Sequence, residues 1–191
     1  MNPPVHILGL CGSLRPGSYT RQAATIVLDA AHAEGASTAL ASDVELNLPL
    51  CDGRPEQAAP GAVIALRERV RRADALLLAT PEYCGTLSAV LKNAIEWIGP
   101  EILAGKIIGV VSVAASTSAD GSMVALRELC LREGAWVIPA RASVPMAERV
   151  FGLPDDEFSS LVLAHLHALG TALPEAVNRI DRNCTSRGSR S

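Results

Sequence analysis

Aromatic side chains are scarce in this chain, at 3% of its 191 residues. Its core must therefore be filled by Ala, Leu, Val and Ile, which favours helices packed closely on a sheet. Charge of one sign is also missing: 17 Lys and Arg stand against 20 Asp and Glu, a net charge of −3. The basic footprint of a duplex-binding protein is absent, so nucleic acid is a poor candidate partner. The apolar run Val5 to Leu10 is too short to span a bilayer and leads into a glycine-bearing loop rather than a cleavage site. No membrane association is expected, and a cytoplasmic protein is. Five cysteines (Cys11, Cys51, Cys84, Cys130, Cys184) form no CxxC pair and are too sparse for a disulfide scaffold, so reduced thiols are expected. His165 and His167 lie two apart on an expected helix and face different directions, which argues against a joint metal site.

What is present fits one domain. A 49% hydrophobic chain of this length can bury one continuous core, here assigned to residues 1–180. Val5 to Cys11 reads as a strand covered on both faces, and Ser18 as the N-cap of a helix that Gly35 stops. A second strand is expected within Thr38 to Leu46, a surface loop over Leu48 to Pro60, and a helix from Pro60 to about Arg72. Asp74 to Thr80 is a third strand, with a helix over Thr86 to Ile98. Lys106 to Val113 is a fourth, followed by a helix over Asp120 to Glu133, and Ala135 to Ala140 is a fifth. Pro154-Asp155-Asp156-Glu157 places acids at the start of a last helix, where the helix dipole favours them. The polar segment 181–191 has no apolar periodicity and is expected to be a flexible tail.

Strands alternating with helices predict an α/β fold: a parallel sheet with right-handed crossovers and strand order 2-1-3-4-5. The ligand crevice of such a sheet lies at the carboxyl ends of its strands, beside the first and third. Two unusual loops follow those strands. The first, Gly12 to Arg21, combines the Ser13, Ser18 and Thr20 hydroxyls with Arg15 and a helix N-terminus, a donor set suited to one phosphate. It has neither P-loop nor dinucleotide-fingerprint spacing, so a phosphate monoester is the better fit. Ser18 as a plain cap and Arg15 as a solvated cation is the alternative. The second, Thr80 to Thr86, sets backbone donors beside Tyr83, which suits a flat ligand with a polar edge.

Gly12-Ser13-Leu14-Arg15 with Ser18, Pro81-Glu82-Tyr83, and Leu91-Lys92-Asn93-Ala94-Ile95-Glu96-Trp97 together resemble the NADPH-dependent FMN reductase family. Quinone, chromate and azo-dye reductases share these motifs, and the resemblance runs from about Val5 to Gly170. It implies a flavodoxin-like three-layer sandwich that binds FMN and takes electrons from NADPH or NADH. The acceptor would be a quinone, free flavin, azo compound or metal oxyanion, reduced in a ping-pong cycle with no protein acid or base required. By the same resemblance Ser13, Arg15, Ser18, Tyr19 and Thr20 hold the FMN phosphate. Pro81, Glu82, Tyr83, Cys84, Gly85 and Thr86 cradle the ring, and Ala114, Ala115 and Ser116 approach from the other side. A homodimer or homotetramer is implied as well.

This sequence departs from the family where Cys84 replaces an asparagine and Ser88-Ala89 replaces Pro-Gly, and its third loop has fewer glycines. Lys92 and Asn93 read as helix residues outside the site, Trp97 as either a subunit contact or a buried core residue, and Cys84 as either an inert or a redox-active thiol. Two other functions remain in view. A low-molecular-weight phosphatase would use Cys11, but its Cys-x5-Arg spacing is not met, since Arg15 follows four residues after Cys11 and Gly17 holds the sixth place. A non-enzymatic flavin-binding redox sensor would share every motif above. An electron carrier of the flavodoxin type is disfavoured by the mild charge balance.

Overall fold

The structure is a computed structural model that describes residues 3–152 and 156–188, with side chains described as far as residue 180. The apolar runs become the strands of one twisted sheet: β1 (His6–Cys11), β2 (Ser37–Leu40), β3 (Ala75–Tyr83), β4 (Thr86–Leu87), β5 (Ile107–Val113) and β6 (Trp136–Val144). Hydrogen bonding orders them β2-β1-β3-β5-β6, every neighbouring pair parallel, while β4 pairs antiparallel with the end of β3 alone. With β4 set aside this is the expected order 2-1-3-4-5.

Alternation along the strands sorts their side chains into two cores. Ile7, Ala75, Leu77, Ala79, Ile107 and Val111 meet α1 (Tyr19–Ala33), α7 (Ala147–Gly152) and α8 (Glu157–Gly188) on one face. Leu8, Leu10, Leu76, Leu78, Ile108 and Val110 meet the other helices on the opposite face. These are α2 (Asp43–Leu46), α3 (Gly61–Arg72), α4 (Ala89–Ile98), α5 (Pro100–Leu103) and α6 (Asp120–Arg132). The result is a three-layer sandwich. Truncating a fully buried leucine such as Leu76 or Leu78 to alanine would cost about 2–5 kcal/mol.

Four elements differ from expectation. The second strand stops at Leu40 because Ser42 and Glu45 form a reciprocal capping box that starts α2, with Glu45 N donating to Ser42 Oγ and Ser42 N to Glu45 Oε2. The fifth parallel strand, β6, runs past Ala140 to Val144. Its register jumps between Ile108↔Val137 and Val110↔Arg141, and the extra residues include Pro139, which has no N–H to give to a ladder. The helix expected from Thr86 begins at Ala89, since Thr86 and Leu87 are taken up by β4. The last helix continues to Gly188, through most of the segment expected as a tail, and 189–191 lie outside the described residues. An established helix propagates at little cost per added residue, so polar residues of moderate propensity can prolong it without apolar periodicity. Pro154 and Asp155 also lie outside the described residues; Asp156 accepts from Ser159 N (2.7 Å) at the start of α8.

The Leu91–Trp97 motif has a structural task. Asn93 accepts from Cys51 N (2.8 Å) and donates to Pro49 O (3.0 Å), and Trp97 Nε1 donates to the same carbonyl (2.7 Å), so α4 pins the long loop after α2. Trp97 is buried within this chain's own core. Arg67, 6% exposed, caps the last turn of α4. Its Nη1 donates to Trp97 O (2.6 Å) and Ile98 O (2.7 Å), while Nη2 reaches Glu56 (3.1 Å) and Glu101 (2.5 Å).

Candidate functional site

Loops leaving the carboxyl ends of β1, β3 and β5 converge on one cavity of about 330 Å³, lined by Ser13, Arg15, Ser18, Tyr19, Thr20, Pro81, Glu82, Tyr83, Val113, Ala114, Ala115, Ala147 and Glu148. All five candidates from the first loop are there. Ser18 N-caps α1: its Oγ accepts from Thr20 N (3.2 Å), and its own N–H closes a turn onto Arg15 O (3.2 Å). Ser13, Ser18 and Thr20 are nearly buried, and no acidic residue occupies the first turn of α1. The partial positive charge of a 15-residue helix is therefore left uncompensated by its own sequence, which is the setting for an anion. Arg15 lies exposed with its guanidinium carbon 5.9 Å from the Tyr19 ring centroid. Tyr19 in turn stacks on Phe151 of α7, with centroids 5.5 Å apart and planes 14° from parallel, so the one aromatic ring of the first loop that lines the cavity is braced by α7.

The second loop, expected only as a short turn, is a β-hairpin. β3 carries on through Pro81, Glu82 and Tyr83, and β4 returns opposite it with Glu82↔Leu87 and Tyr83↔Thr86 paired. Only Cys84 and Gly85 remain between them, both left-handed with φ 52° and 73°, as a two-residue turn matched to strand twist requires. Asparagine-glycine is the pair best suited to such a turn, so Cys84 stands at a position whose backbone favours asparagine. Pro81, Glu82 and Tyr83 line the cavity, but Cys84, Gly85 and Thr86 do not. The hairpin carries those three beyond the rim, toward the first turn of α6. A Cβ added at Gly121 there would run into the Gly85 carbonyl oxygen. Thr80 Oγ1 accepts from Ser88 N (3.0 Å), and Ser88 Oγ accepts from Leu91 N (3.3 Å), so Ser88 caps α4 directly.

Glu82 lines the cavity, yet its carboxylate is turned to a neighbour: Oε2 accepts from Ser122 N (2.8 Å) and Ser122 Oγ (3.0 Å) in α6. In the third loop Ala114 and Ala115 reach the cavity, while Ser116 does not. Ser116 Oγ donates to Ser118 O (2.8 Å) and its carbonyl accepts from Met146 N (2.8 Å), so its polar groups close the loop onto the segment before α7. Val113, Ala147 and Glu148 complete the lining and were not anticipated. Ala147 N donates to Ala114 O (2.9 Å), the bond that draws α7 to the site. A helix of six residues leaves no periodicity from which to read it.

Cys11, the nucleophile of the phosphatase alternative, is fully buried with its thiol facing Ser13 O at 3.9 Å. Burial holds its pKa above the ordinary thiol value, which opposes formation of a thiolate. Cys84 is an exposed free thiol on the turn, outside the cavity lining. No helix among the described residues is long and apolar enough to cross a membrane.

Comparison with known proteins agrees with this architecture. The sequence model for NADPH-dependent FMN reductase matches residues 5–149. The quinone reductase of Escherichia coli (strain K12) is 36% identical over 109 residues, 56% of this chain and 58% of that enzyme, so the match spans little more than half of that relative. The NAD(P)H:quinone oxidoreductase of Solanum tuberosum is 33% identical over 135 residues, covering 66% of this chain and 68% of that one. Among solved structures, FerB, a flavoenzyme NAD(P)H:(acceptor) oxidoreductase from Paracoccus denitrificans, superimposes with a TM-score of 0.73 at 21% identity, over 90% of this chain and 98% of FerB. That likeness shows the shared flavodoxin-like fold. Since the family's sequence pattern runs from the residue before β1 into α7 and takes in all three loops, the chain belongs to the NADPH-dependent FMN reductase family.

Proposed function

We propose that this protein is an FMN-dependent oxidoreductase that passes electrons from NADPH or NADH to a small acceptor, the two substrates alternating at one site. The carrying observation is the single cavity into which the first loop, the end of β3 and the third loop all open. Its donor set fits FMN. Buried Ser13, Ser18 and Thr20 beside the uncompensated N-terminus of α1, with Arg15 above them, match a phosphate monoester. Pro81 to Tyr83 and Val113 to Ala115, at the paired ends of β3 and β5, make an adjoining and largely apolar lining of a kind that accepts a flat ring.

When bound, FMN would supply the two-electron chemistry that no side chain here can provide. The chain's own residues bind and orient. Ser13, Arg15, Ser18, Tyr19 and Thr20 anchor the phosphate end, while small Ala114 and Ala115 leave room for a ring and for a substrate against it. Tyr83, 55% exposed, borders the opening through which quinone, free flavin, azo compound or metal oxyanion would enter. We place residues 1–180 in one catalytic domain, in a cytoplasmic homodimer or homotetramer. Free Cys11, Cys51, Cys84 and Cys130 support a reducing compartment, and family membership supports the assembly.

The test is to record the visible spectrum of the purified protein with and without FMN and then add NADPH anaerobically. Bound, rapidly bleached flavin that recolours on addition of a quinone is expected. A protein that binds no FMN refutes the proposal, and one that binds FMN but turns over only slowly is a sensor instead.

A further inference from the structure

The hairpin that forms one wall of the cavity is too small to fix its own position. β4 has two residues and pairs with β3 alone, and a two-stranded element of that size is marginal without tertiary support. Its support comes from α6. The residue at that helix's N-cap, Ala119, offers no capping side chain, so the exposed N–H groups of the first turn must find an acceptor elsewhere. Glu82 Oε2 supplies it, accepting from both Ser122 N (2.8 Å) and Ser122 Oγ (3.0 Å). Ser112 Oγ of β5 lies 2.5 Å from Ser122 Oγ and 2.6 Å from Ala119 O, and, with the Ser122 proton given to Glu82, donates its single proton to one of these two oxygens on α6 and its N-cap. Three elements are thereby tied at one buried point, and Gly121, with no Cβ to obstruct it, lets the Gly85 carbonyl rest on the same helical turn.

The placement has a consequence for the cavity. Pro81 and Val113 are the last residues paired between β3 and β5. Glu82 and Tyr83 on one side, and Ala114 and Ala115 on the other, line the cavity just beyond that ladder, and the latter two open the loop that leads to α6. We infer that Glu82 is a positioning residue: past the last ladder pair, Pro81↔Val113, it caps α6 through Ser122 and so fixes the end of the hairpin, Glu82 and Tyr83, against the rest of the ring pocket. The inference rests on the FMN reading above and deepens it. It assigns to Glu82 no contact with the reacting atoms. The hydroxyls of the phosphate cradle, Ser13, Ser18 and Thr20 at the start of α1, make no hydrogen bond to Glu82, Ser112 or Ser122.

That separation gives a readout that general loss of structure does not imitate. FMN and riboflavin share the ring and differ in the phosphate, so loosening the ring pocket should weaken both by the same factor. Affinities would be measured by fluorescence titration of each flavin into apoprotein, with circular dichroism and thermal unfolding of the same samples. Loss of hydrogen bonds to a charged acceptor should make Glu82→Ala about tenfold weaker for both flavins, and Ser122→Ala about threefold weaker. Glu82→Gln, which keeps an acceptor oxygen, should recover most of the affinity. The double variant should bind as the Glu82→Ala single variant does, because the two residues act through one another. If Glu82→Ala does not fold, Ser122→Ala, which removes one hydroxyl, carries the test. Flavin affinities unchanged in Ser122→Ala and Glu82→Ala, or a loss confined to FMN, would overturn the inference while leaving the functional proposal intact. Wild-type protein that binds neither flavin would overturn both.

Discussion

Replacing Arg67 by alanine should be among the most damaging single changes outside the cavity, and the structure says why. Trp97 O and Ile98 O belong to the last turn of α4, whose carbonyls have no partner within the helix. Each accepts from the Arg67 guanidinium at 2.6 and 2.7 Å, and hydrogen bonds from a charged donor contribute about 1.5–3 kcal/mol each. The ion pair with Glu101 adds at most about 1 kcal/mol, because that carboxylate is 57% exposed. The expected loss is therefore about 4 kcal/mol, a large part of the roughly 5–15 kcal/mol that holds a domain folded. In urea, with a slope of about 2 kcal/mol per molar, the unfolding midpoint should fall by about 2 M. Arg67→Lys should recover only part, since an ammonium lacks the planar fork that spans two carbonyls. A pH series separates the two contributions. Hydrogen bonding to Arg67 depresses the Glu101 pKa below the ordinary value, so its stabilisation is present above about pH 4.3 and fades as pH falls through the lowered folded value. The carbonyl contribution does not titrate, so most of the gap between wild type and Arg67→Ala should survive at pH 3. A gap below about 1 kcal/mol at neutral pH, or one that vanishes in acid, would refute the assignment of the stability to the carbonyl bonds.

Cys84→Asn should raise stability by about 0.5–1 kcal/mol, read as a higher urea midpoint, because asparagine tolerates the left-handed turn position better than cysteine; a lower midpoint would contradict the turn geometry. Ser18→Ala should cost about 1 kcal/mol of stability through the lost cap and should weaken FMN more than riboflavin in fluorescence titrations, whereas equal weakening would remove the phosphate from this loop. The Asp156 carboxyl is held at about 2 by the Ser159 N–H and by Arg149, a depressed folded value, so its stabilisation is full above about pH 3.9 and is lost toward pH 2. Asp156→Asn should therefore be less stable than wild type at neutral pH, with the difference closing over that acid window in thermal unfolding; a constant difference would show that the charge is not involved.

Most of the parallel sheet was legible because buried strands are continuous apolar runs: β1, β3 and β5 announce themselves as Ile7 to Cys11, Ala75 to Ala79 and Ile107 to Val113. The first loop was legible for a related reason, since capping and anion binding demand small hydroxyl residues at a helix start. The hairpin was not. Pro81, Glu82 and Tyr83 carry no apolar signal, and they are strand only because Pro81 lies opposite Val113 and Tyr83 opposite Thr86. Local chemistry at Cys84-Gly85 was equally mute, as cysteine is a poor marker for a left-handed position. Glu82 reads as a cavity residue in sequence, and its commitment to Ser122, 40 positions away, is set by the packing of α6 against the hairpin. Glu148 escaped notice because α7 is too short to show a period and is placed by one backbone bond to Ala114.

The register jump in β6 reaches beyond local geometry. β6 is one border of the sheet and β2 the other. β2 is four residues long, and β6 is interrupted by its extra residues and by Pro139, so neither border offers a long flat row of free N–H and C=O groups. An incoming strand has no template on either side. Partially unfolded neighbours are thereby denied the edge-to-edge pairing by which open sheets aggregate.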